Sequence, residues 1–399
     1  MEENTKGKKI SRRAFIGGAV GAAGAVGAMT VLGGCATAGA TGATGAARLT
    51  HNRNSPIFEP TRIGSLTLKN KMIRAAMAER RHGGHLDGPT PALARMWAEE
   101  AAGGIGMVMT GGIGVLQDDY VGDLFGGFTD ASQTRAYRDA VDGVHRNGAK
   151  ICAQIMLVGN PGTPFFVNDI SVENIRRGVE AFARTAVLVR DAGFDAINFH
   201  FAHGYLGAQF WSHYRNTRTD QYGGSAQNRA RFPFEIVEAA RRALGSDFPL
   251  TAKINVNEHY LYPGSSQEET NYFVQGLADR GIDAVEISGA EANRYRIDML
   301  SKEDHNYFSR LARLVARNVN VPMILTGGVR SVFMMEEALR FNSNLVAFGM
   351  ARTILAEPDL PNIWQRDTTY DPKCITCNWC LNNLRTLDRM LCVLDQTRV

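Results

Sequence analysis

Residues 173–206 read ENIRRGVEAFARTAVLVRDAGFDAINFHFAHGYL, and this stretch decides the fold. Its first part, 173–191, spaces apolar residues for one face of a helix, and Gly193 closes it. A short, mostly apolar run follows at 196–200, as expected of a parallel strand buried on both faces. A polar string then begins where that strand ends, at His200-Phe201-Ala202-His203-Gly204-Tyr205. Helix, glycine, buried strand and polar turn make one unit of an α/β protein.

The unit recurs in both directions. Strands are expected at 71–77, 106–110, 149–156, 196–200, 250–255, 284–288, 322–326 and 345–349. The clearest helices are 91–102, 173–191, 226–244, 268–280 and 304–317. Glycines stop several of them, among them Gly103-Gly104, Gly148, Gly193, Gly245 and Gly281. Eight strands in this order fit a closed (β/α)8 TIM barrel. A doubly wound open sheet would want G-x-G-x-x-G after the first strand. That strand ends instead in Ala76-Met77-Ala78-Glu79. Residues 57–68 are expected to form a hairpin at the barrel's bottom.

Composition adds bounds. The chain is 44% hydrophobic and 21% charged, an ordinary globular balance. Its net charge of +4 is spread thinly, with no basic run suited to nucleic acid. The first residues differ from the rest. Lys6, Lys8 and Lys9 lead to Ser11-Arg12-Arg13-Ala14-Phe15-Ile16, then to an apolar run rich in Gly and Ala. That is the layout of a twin-arginine export signal, whose route moves proteins already folded around their cofactors. Leu32-Gly33-Gly34-Cys35 reads as a lipobox that would leave Cys35 lipidated; Ala36-Thr37-Ala38 is a competing cleavage site. We read 1–35 as signal, 36–55 as flexible linker, 56–365 as barrel and 366–399 as a cysteine-rich extension. An extracytoplasmic, lipid-anchored protein is the expectation.

In a barrel the chemistry sits at the carboxyl ends of the strands. His200 and His203, with Tyr205 two residues on, converge if the strand unwinds into a turn. Two imidazoles can donate to one substrate oxygen, and a phenol can deliver a proton. Two neutral His could instead hold a metal, though no adjacent carboxylate completes such a site.

The string H-x-x-H-G-Y-L, then Q-F, then N-x-R-x-D-x-Y-G-G-S-x-x-N-R-x-R-F, running from His200 to Phe232, resembles the old yellow enzyme family of flavin oxidoreductases. Ile57-Phe58-Glu59-Pro60 and Leu68-Lys69-Asn70 resemble that family's start, and the likeness extends to about Leu360. The resemblance implies FMN at the barrel mouth. Ala76, Met77, Ala78 and Gly112 would lie beside the ring, Gln154 would bond it, and Lys253 would stand where the family has Arg near its N1 and O2 edge. Gly327, Gly328, Gly349 and Arg352 would cradle the phosphate. His200 and His203 would hold a substrate carbonyl, and Tyr205 would donate a proton. The implied reaction is reduction of the activated C=C bond of an α,β-unsaturated carbonyl compound. Departures are Ala76 for a usual Pro, Ala78 for Cys or Thr, and Leu157 and Asn160 for His and Arg. They leave substrate and flavin potential open. Arg80, Arg81, His82 and His85 read as solvated residues of the first loop. An amine oxidoreductase like trimethylamine dehydrogenase and a non-catalytic barrel lipoprotein are the alternative functions.

Cys374, Cys377, Cys380 and Cys392 remain, while Cys152 reads as buried. Four thiolates so spaced suit a 4Fe–4S cluster or a structural zinc, and in an exported protein oxidation to disulfides is the competing outcome. Their placement after the barrel resembles the 2,4-dienoyl-CoA reductase and trimethylamine dehydrogenase branch, where a similar quartet binds 4Fe–4S. That branch continues into a nucleotide-binding region absent before Val399. The electron donor is therefore expected to be a separate redox protein.

Overall fold

The computed structural model describes residues 51–79, 88–115, 126–128, 131–157, 166–256, 264–289, 306–382 and 390–394. The signal, the linker up to residue 50, the loop with Arg80, Arg81, His82 and His85, and Asn160 lie outside the described residues. No helix among the described residues is long and apolar enough to cross a membrane.

Strands β1 (Thr61–Ile63) and β2 (Leu66–Leu68) form the expected antiparallel hairpin. Eight parallel strands follow: β3 (Met72–Arg74), β4 (Met107–Val115), β6 (Lys150–Met156), β7 (Ala196–Phe201), β8 (Leu250–Asn255), β9 (Ala284–Ser288), β10 (Met323–Thr326) and β11 (Leu345–Met350). Each pairs with the next, and β11 pairs back onto β3, so the sheet closes as a (β/α)8 barrel. A side strand, β5 (Gly126–Phe128), lies along the end of β4.

Helices alternate with the strands: α1 (Pro91–Ala102), α2 (Ala131–Arg146), α3 (Val172–Asp191), the short α4 (Leu206–Trp211), α5 (Ala226–Leu244), α6 (Gln267–Asp279), α7 (Ser309–Ala316) and α8 (Val332–Phe341). Thr90, Ser171, Ser225 and Ser266 cap four of them, each hydroxyl accepting from the backbone N–H three residues on. After β11 come α9 (Arg352–Ala356), α10 (Leu360–Arg366) and, in the cysteine segment, α11 (Trp379–Asn382).

Two strands depart from the sequence expectation. β4 runs past 106–110 to Val115, because Thr110-Gly111 form a bulge rather than an end: register with β6 shifts between Met109 and Gly112. A Cβ on Gly111 would come within 2.3 Å of the Met77 carbonyl oxygen, so the close crossing needs glycine. β3, expected over 71–77, is regular only to Arg74. Buried Arg74 donates to the Met109 carbonyl at 2.6 Å and pairs with Glu79 and Glu100. Glu79 in turn accepts from the Gly111 N–H at 3.1 Å and Trp97 Nε1 at 2.9 Å. Ala75 N–H still donates to the Met350 carbonyl of β11 at 2.8 Å, and the Glu79 bonds draw the residues after it off the ladder.

The period of two sets the barrel's interior. Ile73, Met107, Met109, Cys152, Ala196, Ala284, Ile324 and Ala347 pack with Ile63, Leu66 and Leu68 of the hairpin. The hairpin thus plugs the amino-terminal end, and Cys152 is buried there as expected. One layer further up, the inward positions of five strands are polar: Gln154, Asn198, Lys253, Glu286 and Thr326. Two residues further again stand His200, Asn255 and Ser288.

Candidate active site

The middle layer is one hydrogen-bonded network. Gln154 Nε2 donates to Asn198 Oδ1 at 2.8 Å; Asn198 Nδ2 donates to Thr251 Oγ1 at 2.9 Å and Glu286 Oε2 at 3.3 Å. Thr326 Oγ1 donates to Glu286 Oε1 at 2.7 Å. Lys253 Nζ lies 3.0 Å from Glu286 Oε1, with the two side chains 3% and 0% exposed. Lys253 is therefore no bare cation. Its charge is matched by a carboxylate that the sequence reading missed. Gly349 makes room for this layer, since a Cβ there would meet Thr326 Oγ1 at 2.1 Å.

Above it, β7 unwinds after Phe201. His203 sits in the left-handed region, at φ 59°, a conformation a non-glycine residue holds only when its surroundings fix it. Its N–H donates to Asn255 Oδ1 at 3.2 Å, and its Nε2 lies 2.8 Å from Ser288 Oγ. The turn brings the three expected residues together: the His200 ring centre is 5.0 Å from that of His203 and 4.7 Å from that of Tyr205. His200 Nδ1 accepts from the Ala202 N–H at 3.2 Å, which leaves its proton on Nε2. Burial holds both imidazoles neutral, with His203 and Lys253 adding to it at His200. Burial and then Lys253 lower His203 to about 3. Burial also pushes the Tyr205 phenol up to about 12, so it keeps its proton at any physiological pH.

The string from Asn216 to Arg231, so useful for the resemblance, is scaffolding. Asn216 Nδ2 donates to the Phe210 and Tyr222 carbonyls, both at 2.7 Å. Arg218 reaches the Val167 and Ile170 carbonyls at 2.8 and 2.7 Å, and Arg229 pairs with Glu269 at 2.8 Å. These bonds fix the loop between α4 and α5 and hence the turn that carries Tyr205.

A family model described as NADH:flavin oxidoreductase / NADH oxidase matches residues 56–163 and 159–369. The chain belongs to this family. It is 30% identical to the 4,4'-dithiodibutanoate disulfide reductase of Rhodococcus erythropolis, over 86% of this chain and 96% of that protein. It is 29% identical to a metal reductase of Desulforamulus reducens, over 86% of this chain and 53% of that one. An NADH oxidase of Thermoanaerobacter brockii is 28% identical over 83% and 54%. The chain thus spans about half the length of these last two relatives. Among solved structures, 2-naphthoyl-CoA reductase superposes with a TM-score of 0.75 at 22% identity, covering 85% of this chain and 57% of the other. Histamine dehydrogenase from Rhizobium sp. 4-9 gives 0.68 at 23%, covering 79% and 48%. At these identities the structural likeness is one of fold. The family is one of flavin oxidoreductases, and membership implies FMN.

The residues present fit a flavin of this family. Thr326, Gly327, Gly328, Gly349, Arg330 and Arg352 line one cavity at the ends of β10 and β11. Arg330 is buried, and its Nε has no hydrogen-bond partner among the described residues, a donor suited to a phosphate oxygen. Arg330 was also missed from sequence. Gln154 and Lys253 stand below the His pair. Ala76 and Ala78 are partly buried and Met77 buried on the segment that follows β3, and Gly112 sits opposite Gln154 in register. Leu157, which departs from the family's pattern, is buried in the apolar core.

The cysteine segment packs beside this cavity. Cys374, Cys377, Cys380 and Cys392 line one small pocket together with Arg352, and no disulfide forms among the described cysteines. The donor set is that of a metal–thiolate site. Yet no three His, Cys, Asp or Glu side chains among the described residues already stand in metal-binding geometry.

Proposed function

We propose that the chain is an exported FMN-dependent reductase of activated C=C bonds in α,β-unsaturated carbonyl compounds. The observation that carries this reading is the neutral His200–His203 pair beside protonated Tyr205, above the Gln154–Lys253 layer. FMN, held by Gln154, Lys253, Arg330 and Arg352, would supply hydride chemistry when bound and reduced. The residues supply the rest. His200 Nε2–H donates to the substrate's carbonyl oxygen. His203, oriented by Ser288, presents its other ring nitrogen to the same place. Negative charge develops on that oxygen as the hydride arrives, and two donors in a dry site stabilise it there. Tyr205 hands its proton to the α carbon, and solvent reprotonates the phenolate. An amine substrate would want an aromatic cage rather than paired donors, which weighs against the dehydrogenase reading. A disulfide substrate is the second reading, favoured by the likeness over nearly the whole length of the Rhodococcus disulfide reductase.

The four cysteines we propose as ligands of a 4Fe–4S cluster that passes electrons from a separate redox protein. Lipidation at Cys35 would hold the enzyme at the outer face of the membrane. The test is anaerobic purification with flavin and iron analysis, then oxidation of the reduced protein by unsaturated acids, ketones and steroids. Reoxidation by a disulfide but by none of these, or reduction of the oxidised flavin by an amine, would discard the C=C reading. Rapid turnover with NADH alone would discard the separate donor.

A further inference from the structure

Arg352 is a wall common to two cavities. It lines the pocket formed by Gly327, Gly328 and Gly349, and also the pocket formed by the four cysteines. Its Nη1 donates to Asn378 Oδ1 at 2.6 Å, and its Nη2 to the Tyr307 hydroxyl at 2.8 Å. The neighbouring guanidinium is tied the same way: Arg330 Nη1 donates to Thr376 Oγ1 at 2.8 Å, and its Nη2 to the Cys374 carbonyl at 2.9 Å. Both cations at the glycine cavity are thus aimed by residues lying between the cysteines. Thr376 and Asn378 hold left-handed backbone, at φ 57° and 56°, which is costly for a β-branched threonine. The cost is met only while the loop keeps this shape.

We propose that the cysteine segment positions the phosphate-binding guanidiniums, so that flavin retention and the state of the cysteine loop are coupled through Arg352–Asn378 and Arg330–Thr376. The inference rests on the FMN reading above. Asn378 and Thr376 are positioning residues: they touch the arginines, not the flavin. A guanidinium already held by Asn378 and Tyr307 has less rotamer freedom to lose when an anion arrives. Coupling of this kind is reciprocal, so the anion must in turn steady the loop.

The experiment compares FMN with riboflavin, which has the same ring and no phosphate. Flavin-depleted full-length protein is titrated with each and fluorescence quenching is followed. Asn378→Ala is expected to weaken FMN about 3- to 10-fold, the freedom of one long side chain, and leave riboflavin unchanged. Asn378→Asp should weaken FMN further, because its carboxylate competes with phosphate for Arg352. In wild-type protein freed of iron, FMN, but not riboflavin, should also slow alkylation of the exposed Cys377 thiol. Unchanged FMN binding in both variants would overturn the proposal, as would parallel weakening of both flavins, the mark of a damaged fold. Wild-type protein that binds neither flavin would overturn the FMN reading and this proposal with it.

Discussion

Replacing Glu286 by glutamine removes one charge from the barrel's centre with little change in shape. Lys253 Nζ and Glu286 Oε1 are 3.0 Å apart and both side chains are buried. At an effective dielectric of about 20, unit charges at that separation attract by roughly 5–6 kcal/mol before desolvation is counted. Breaking such a buried pair from one side costs about 3–5 kcal/mol, because the surviving charge stays buried without its partner. Glutamine also has a single acceptor oxygen where Glu286 accepts from Lys253, Thr326 and Asn198. The unit Leu49–Val399 should gain about 0.7 kcal/mol/K of unfolding entropy, at ~2.1 cal/mol/K per residue. Glu286→Gln should therefore lower Tm by about 4–7 °C in flavin-free protein. The assay is thermal melting by near-UV circular dichroism, run as a double-mutant cycle with Lys253→Met. The double variant, with neither charge, should be more stable than Glu286→Gln alone. A Tm loss under about 1 °C, or strictly additive effects, would refute the buried-pair argument.

Three further outcomes follow from the same geometry. Burial depresses the pKa of His200 and His203, so between about pH 3 and 6.5 the unfolded chain binds protons that the folded one refuses. Stability should rise with pH through that window and be lost as acid is added; urea midpoints at pH 5 and 7.5 check this, and the difference should shrink in His203→Gln. Tyr205→Phe should slow reoxidation of the reduced enzyme by an unsaturated substrate about 10²- to 10⁴-fold in stopped-flow, with flavin content unchanged. Because the phenol titrates near 12, the wild-type rate should show no loss from its ionisation below that range. Asn216→Ala strips partners from two buried carbonyls and should cost roughly 1–3 kcal/mol in denaturant titrations.

The barrel was legible because its signal is redundant. The strands expected at 250–255 and 284–288 agree with Leu250–Asn255 and Ala284–Ser288, and those at 149–156 and 196–200 differ from the observed elements by a residue. Ends failed where long-range bonds decide them. Nothing local to Gly111-Gly112 says that a bulge will carry β4 onward, since the bond that fixes it comes from Glu79. The His200, His203 and Tyr205 cluster was legible from spacing, because one turn after a strand is local geometry. Glu286 was not found, although a glutamate at an inward position of an otherwise apolar strand was a signal in itself. Its partner Lys253 was singled out alone, as a free cation, because pairing across β8 and β9 is visible only once the barrel closes. Arg330 was not singled out; its meaning depends on Thr376 and Cys374, more than forty residues away.

The account rests on a flavin mononucleotide lying at the barrel mouth beside His200, His203 and Tyr205. The most direct test is an absorbance titration of the purified, oxidised protein with an unsaturated ketone or carboxylate, followed by identification of the cofactor released on denaturation. The account predicts one FMN per chain and a ligand-induced shift of the flavin bands that disappears in a His200→Ala, His203→Ala double variant. A colourless protein that takes up no FMN, or a flavin spectrum indifferent to both ligand and histidines, would contradict it.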